Sequence, residues 1–170
     1  MPDVPIRPLI RRGEEGNAVW FLGSLVTVKA SGAETHGRVT VVEFLNPPGF
    51  APPLHRHIHE DEMFYVLDGE AEFHCDGWTS VARPGDFVVL PAGLAHSFVV
   101  ISDDPFRTLQ ITSPAGFEEF AAAGGQPAPQ HRLPDAATID PAALAHASAL
   151  HGIELLGPPP TAVQRSSGNT

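Results

Sequence analysis

An all-β antiparallel sandwich or barrel, with short helices at its C-terminal end, is the fold class this sequence predicts. Three observations predict it. Between residues 17 and 113, short runs rich in β-branched and aromatic residues recur at close spacing. Turn residues punctuate them: DG at 68–69 and 76–77, PGD at 84–86, PAG at 91–93 and SDDP at 102–105. After residue 113 the pattern changes to alanine-rich runs that begin at Ser-Pro or Asp-Pro and stop at Gly. Many short strands joined by such turns define a sandwich or barrel.

Taken in order, residues 1–16 hold three prolines and mixed charges, and read as an irregular arm. "NAVWFLGSLVTVKA" (17–30) reads as one strand broken near Gly23, or as two, and "SGAETHG" (31–37) as a turn. "RVTVVEFL" (38–45) is a strand that "NPPGFAPP" (46–53) ends. The strands that follow are expected at 54–57, 62–68, 70–75, 79–82, 86–90, 95–101 and 106–111, with both DG pairs as hairpin signals. "SPAGFEEFAAAG" is expected to be a helix capped by Ser113, with Pro114 first in the helix and Gly124 as its stop. Residues 124–139 read as a connector. "DPAALAHASALHG" reads as a second helix, capped by Asp140 and stopped by Gly152. The expected organisation is thus an arm (1–16), a β-barrel (17–113), a helical extension (114–156) and a mobile tail (157–170).

Composition narrows the function. With 170 residues, 42% of them hydrophobic, the chain is long enough for one domain with a real core. No apolar run approaches the ~20 residues of a membrane helix. The first residues have no signal-peptide pattern, and Cys75 is the only cysteine, so no internal disulfide forms. A soluble cytoplasmic protein is the expectation. Asp and Glu outnumber Lys and Arg by 20 to 10, which argues against nucleic acid and anionic membranes as partners and favours small molecules.

The chemistry concentrates in "HRHIHEDE" (55–62). Alternation along a strand would put His55, His57 and His59 on one face, where imidazoles and a nearby carboxylate suit a divalent metal; the alternative is a solvated polar loop. The wider spacing runs Gly49, His55, His57, Glu62, Gly69, and then Gly85, Pro91, Gly93, His96. These are the patterns G-x5-H-x-H-x4-E-x6-G and G-x5-P-x-G-x2-H. Strand alternation also proposes a pocket. If Glu62 faces inward, so do Phe64 and Val66; if His96 does, so do Phe98 and Val100.

With both patterns present in that order, residues 17–113 resemble the cupin superfamily. "GFAPPLHRHIHEDEMFYVLDG" matches its first motif at every defining position, and "GDFVVLPAGLAHSFVV" matches the second through its histidine. That motif usually closes with Asn, where this chain has Val100. The stretches "WFLGSL", "DEMFYVLDGE", "SPAGFEEF" and "HGIELLGPPP" resemble more closely the single-domain cupins similar to quercetin 2,3-dioxygenase. The resemblance implies an antiparallel jelly-roll barrel. It also implies one divalent ion held by His55, His57, Glu62 and His96, with Fe, Ni, Mn, Co and Zn all compatible. The motif places a loop after His57, which moves His59 to the rim of the pocket and out of the ligand set.

The activity so implied is ring cleavage of a flavonol-like or other enolic or phenolic small molecule with O2. Glu62 would take the proton of the substrate hydroxyl. A non-oxidative cyclase, isomerase or lyase, or a binding cupin without turnover, is the alternative. Single-domain cupins often dimerise, and an edge strand from the arm is a device for a homodimer.

Overall fold

The computed structural model describes residues 7–137 and 139–162. The first six residues of the arm and residues 163–170 of the tail lie outside the described residues.

Among the described residues there are twelve strands and three short helices. β1 (Ala18–Phe21) and β2 (Ser24–Ala30) form a hairpin, so the 17–30 run is two strands broken at Gly23. The turn segment after them contains α1 (Gly32–Thr35), one helical turn in which the Glu34 carboxylate accepts from the main-chain N–H of Ser31. The remaining central strands are β3 (Thr40–Asn46), β4 (Leu54–His57), β5 (Asp61–Asp68), β6 (Ala71–Cys75), β7 (Trp78–Ala82), β8 (Phe87–Leu90), β9 (His96–Val100) and β10 (Phe106–Ser113). They are followed by α2 (Phe117–Gly124), β11 (Gln126–Pro127), α3 (Pro141–Leu150) and β12 (Ile153–Gly157).

Two antiparallel sheets result. One runs β11-β1-β2-β3-β10-β5-β8 and the other β12-β4-β9-β6-β7. Among the described residues no ladder joins their edges, so the expected barrel is an open jelly-roll sandwich. From β3 to β10 the chain passes between sheets at nearly every turn. Of the two DG pairs, only Asp76-Gly77 closes a hairpin, between β6 and β7. Both residues have positive φ, as a type I′ turn requires. Asp68-Gly69 instead carries the chain from one sheet to the other. A Cβ at Gly69 would lie 2.9 Å from the Phe106 Cα, so main-chain packing demands glycine there.

Three further expectations are corrected. Ser113 does not cap α2, whose N-cap is Gly116. The ladder between β10 and β5 extends to Ser113 and Asp61, and this pairing keeps residue 113 extended. The 124–139 connector contributes β11, which pairs with β1. The helical extension ends in a strand, β12, that pairs with β4. The expected cap of α3 is present, with the Asp140 carboxylate accepting from the N–H groups of Ala142 and Ala143. Residues 7–16 form no strand. Arg11 there donates to the Lys29 carbonyl at 2.7 Å and pairs with Glu34 at 2.5 Å.

Two apolar clusters fill the sandwich. One gathers Phe64, Phe73, Phe98 and Phe106, and the other gathers Phe21, Phe44, Phe117, Phe120 and Ile153. Phe50 packs against both. Helices α2 and α3 are held on the sandwich by Phe117, Phe120 and Leu144, all buried.

Candidate metal centre

β4 is four residues long, and its sequence LHRH alternates inward and outward. Its outward residue, Arg56, pairs with Glu154 of β12 at 2.5 Å. His55 and His57 face inward on either side of it. β9 meets β4 at a single pair, His55 opposite His96, which sets the third imidazole beside the first. Glu62 comes from β5, on the facing sheet. His57, Glu62 and His96 are 1%, 4% and 2% exposed, and His55 is half-buried. One candidate ligand atom from each of the four lies within 4.8 Å of the other three.

Hydrogen bonds behind the rings orient them. The Nδ1 of His55 lies 2.7 Å from the Pro53 carbonyl, and that of His96 lies 2.9 Å from the Leu94 carbonyl. A carbonyl only accepts, so each Nδ1 carries the proton. His57 Nδ1 lies 2.7 Å from the Glu60 carboxylate. All three rings therefore turn Nε2 toward Glu62, with His96 Nε2 3.1 Å and His57 Nε2 3.8 Å from its oxygens. Lone pairs on three nitrogens facing a buried carboxylate repel one another unless a cation stands among them, whether a proton or a metal ion. Three imidazoles and one carboxylate are a donor set that suits Fe, Ni, Mn, Co or Zn.

Electrostatics show the same tension. Burial alone would push the Glu62 carboxyl up, but the imidazoles of His57, His96 and His55 outweigh burial and hold it at about 2. Burial first, and then the neighbouring His96, push His55 down to about 4. His57 is raised: burial opposes its charged form, and Glu62 and Glu60 prevail over burial.

Three of the cluster, His55, His57 and Glu62, form one wall of an apolar cavity between the two phenylalanine groups. Phe64 and Phe98 line it, as strand alternation suggested. Val66 and Val100 do not, because two residues further along each strand the inward side chains are already packed in the core. His59 is exposed and away from the cavity, with its ring beside Gly152. Alternation breaks after His57, where the chain bends toward β5.

Several site residues escaped sequence reasoning. Gln110, buried on β10, donates from its amide nitrogen to Glu62 Oε1 at 2.8 Å. Its signal was its place in the alternating inward set Phe106, Thr108, Gln110, Thr112 of one strand. Phe117 and Phe120 of α2, Leu144 of α3, and Ile153 and Leu155 of β12 close the cavity. No Lys or Arg is among the described residues that line it.

Comparison with known proteins agrees with this geometry. Residues 42–112 match the cupin domain family. Quercetin 2,3-dioxygenase of Bacillus subtilis is 30% identical over 156 residues, 92% of this chain and 44% of that protein. Acireductone dioxygenase of Leishmania infantum is 38% identical over 61 residues, 32% of this chain and 18% of that protein. A solved structure of a predicted oxalate decarboxylase from Thermotoga maritima superposes with a TM-score of 0.58 at 22% identity, covering 62% of this chain and 99% of the other. A jelly roll with both motifs and a three-histidine, one-glutamate cluster, the chain matches the cupin domain family over residues 42–112. Within it the chain is similar to quercetin 2,3-dioxygenase, although it spans less than half the length of the curated relatives named above. Among the described residues, no helix is long and apolar enough to cross a membrane.

Proposed function

We propose that this protein is a metal-dependent dioxygenase that cleaves an enolic or phenolic ring, of flavonol type or smaller. The observation that carries the proposal is the position of the buried three-histidine, one-glutamate cluster on the wall of a cavity whose remaining lining is apolar apart from Gln110 and rich in phenylalanine. Similarity to quercetin 2,3-dioxygenase over 92% of the chain supports it.

His55, His57, His96 and Glu62 would hold one divalent ion. When bound, it would supply Lewis acidity to a deprotonated enol or phenol oxygen and, for a redox-capable metal, electronic access to O2. The protein does the rest. Glu62 Oε1 accepts from Gln110 and Oε2 lies 3.1 Å from His96 Nε2, so Oε2, the oxygen that faces the imidazole cluster, is the one that would take the substrate's hydroxyl proton. The phenylalanine faces stack on the substrate ring and keep water out. With no Lys or Arg on the lining, the cavity offers a small dicarboxylate no cationic side chain, and a neutral aromatic fits it better.

The cavity is tight. Its volume is about 50 Å3. An apolar cavity that takes benzene measures roughly 150 Å3. A ring therefore enters only as side chains from α2 or α3 give way.

The test is oxygen uptake by protein reconstituted separately with Fe(II), Ni(II), Mn(II), Co(II) and Zn(II). The substrates offered are a flavonol and a set of single-ring enols and phenols. Uptake matched by loss of substrate absorbance is expected with at least one redox-capable metal. Substrate conversion without oxygen uptake would replace the dioxygenase with a non-oxidative metalloenzyme.

A further inference from the structure

The three imidazoles are braced from behind in two different ways. His55 and His96 each give Nδ1–H to a main-chain carbonyl two residues earlier, at Pro53 and Leu94. His57 has a side chain in that place. Glu60, in the turn between β4 and β5, sets its Oε2 2.7 Å from His57 Nδ1. Glu60 is itself buried, 9% exposed. The start of α2 closes over its other oxygen, since a Cβ at Gly116 would fall 2.6 Å from Glu60 Oε1. The carboxylate is thus confined between the imidazole and the helix, with little room to swing away.

We propose that Glu60 is the positioning residue of this centre, fixing the tautomer of His57 so that its Nε2 lone pair faces His55, Glu62 and His96. The proposal rests on the four-residue cluster being a metal site. A carboxylate accepts more strongly than a carbonyl and makes the ring a better donor through Nε2. Without Glu60, Nδ1 of a ring that is 1% exposed loses its acceptor. The proton then gains by moving to Nε2, where Glu62 can accept it, and the lone pair a metal needs is lost. Nothing comparable threatens His55 or His96, whose main-chain acceptors no side-chain change removes.

The test uses Glu60→Ala and Glu60→Gln in the full chain, with two readouts that need no substrate. The first is the 15N spectrum of the histidine rings in metal-free protein, at a pH high enough to keep them neutral. Wild type is expected to show His57 protonated at Nδ1. In Glu60→Ala that resonance moves toward the Nε2–H form, while His55 and His96 stay put. In Glu60→Gln the amide oxygen still accepts, so the Nδ1–H form persists with its proton resonance shifted by loss of the charged acceptor.

The second readout is Zn(II) affinity by chelator competition. A loss of about 10–100-fold is expected for Glu60→Ala, and a smaller one for Glu60→Gln. Unchanged His57 resonances in both variants would overturn the proposal, and so would equal affinity losses with no change of tautomer. If Glu60→Ala does not fold, the His57 proton shift in Glu60→Gln decides alone. If the tautomer moves but wild type binds no metal, the positioning role stands and the metal reading of the cluster fails.

Discussion

Gln110→Leu is the sharpest perturbation the site offers. The Gln110 amide donates to Glu62 Oε1 at 2.8 Å across the ladder of β10 and β5, and both residues are buried. A carboxylate can only accept, so the amide must present its NH2 group here. Leucine has a similar size and no donor. It leaves a buried charged oxygen with one hydrogen bond fewer, and such bonds contribute about 1.5–3 kcal/mol. For a chain of this size each kcal/mol moves Tm by roughly 2–4 °C, so metal-free Gln110→Leu should melt about 3–12 °C lower. Gln110→Glu keeps the shape and sets a second carboxylate against the first, so it should melt lower still. Zn(II) competition on the same proteins should show weaker binding by Gln110→Leu, because Glu62 loses the contact that aims it. Differential scanning calorimetry and the chelator titration decide the matter. A Gln110→Leu protein with wild-type Tm and wild-type metal affinity would show that Gln110 does not hold Glu62.

Three further outcomes are expected. Glu62→Gln removes the proposed base and leaves three imidazoles, so turnover should fall by about 10²–10⁴-fold while much of the metal remains; near-normal turnover would assign the proton to another group. His59→Ala should keep its metal content by elemental analysis, because His59 is exposed and points away from the cluster; a loss like that of His57→Ala would place it among the ligands. Metal-free protein should be most stable near pH 6.5, as measured by Tm across a pH series. His55 is depressed from 6.5 to about 4, so the unfolded chain takes up that proton first and stability is lost as pH falls through this interval. Glu62 is depressed from 4.5 to about 2, so its contribution is present above 4.5 and is lost below it. His57 is raised, so its contribution is complete below 6.5 and lost at higher pH. A Tm that stays flat from pH 6.5 down to 4 would contradict the His55 assignment.

The sequence by itself determined those parts that depend on neighbours along the chain. Alternation in "LHRH" put His55 and His57 on one face, and the resemblance to the two cupin motifs added Glu62 and His96. The structure brings these four side chains together. Asp-Gly at 76–77 made a hairpin because its two positive-φ positions are local, and Asp140 before Pro141 capped α3 for the same reason.

Tertiary structure decided the rest. Asp68-Gly69 has the same letters as a hairpin but links two sheets, because β5 and β6 find different partners. Ser113 looked like a cap until β5 claimed it for a ladder. "IELLG" at 153–157 became a strand through its pairing with β4, about a hundred residues away, and so came to flank the histidines at the edge of their sheet. The link from Gln110 to Glu62 spans 48 residues, and the cavity wall draws on α2, α3 and β12 at once. Val66 and Val100 follow the alternation that put Phe64 and Phe98 at the cavity, yet they lie in the packed core. Alternation fixes which face a side chain takes, but how far the cavity reaches along that face depends on how the two sheets and the helices close around it.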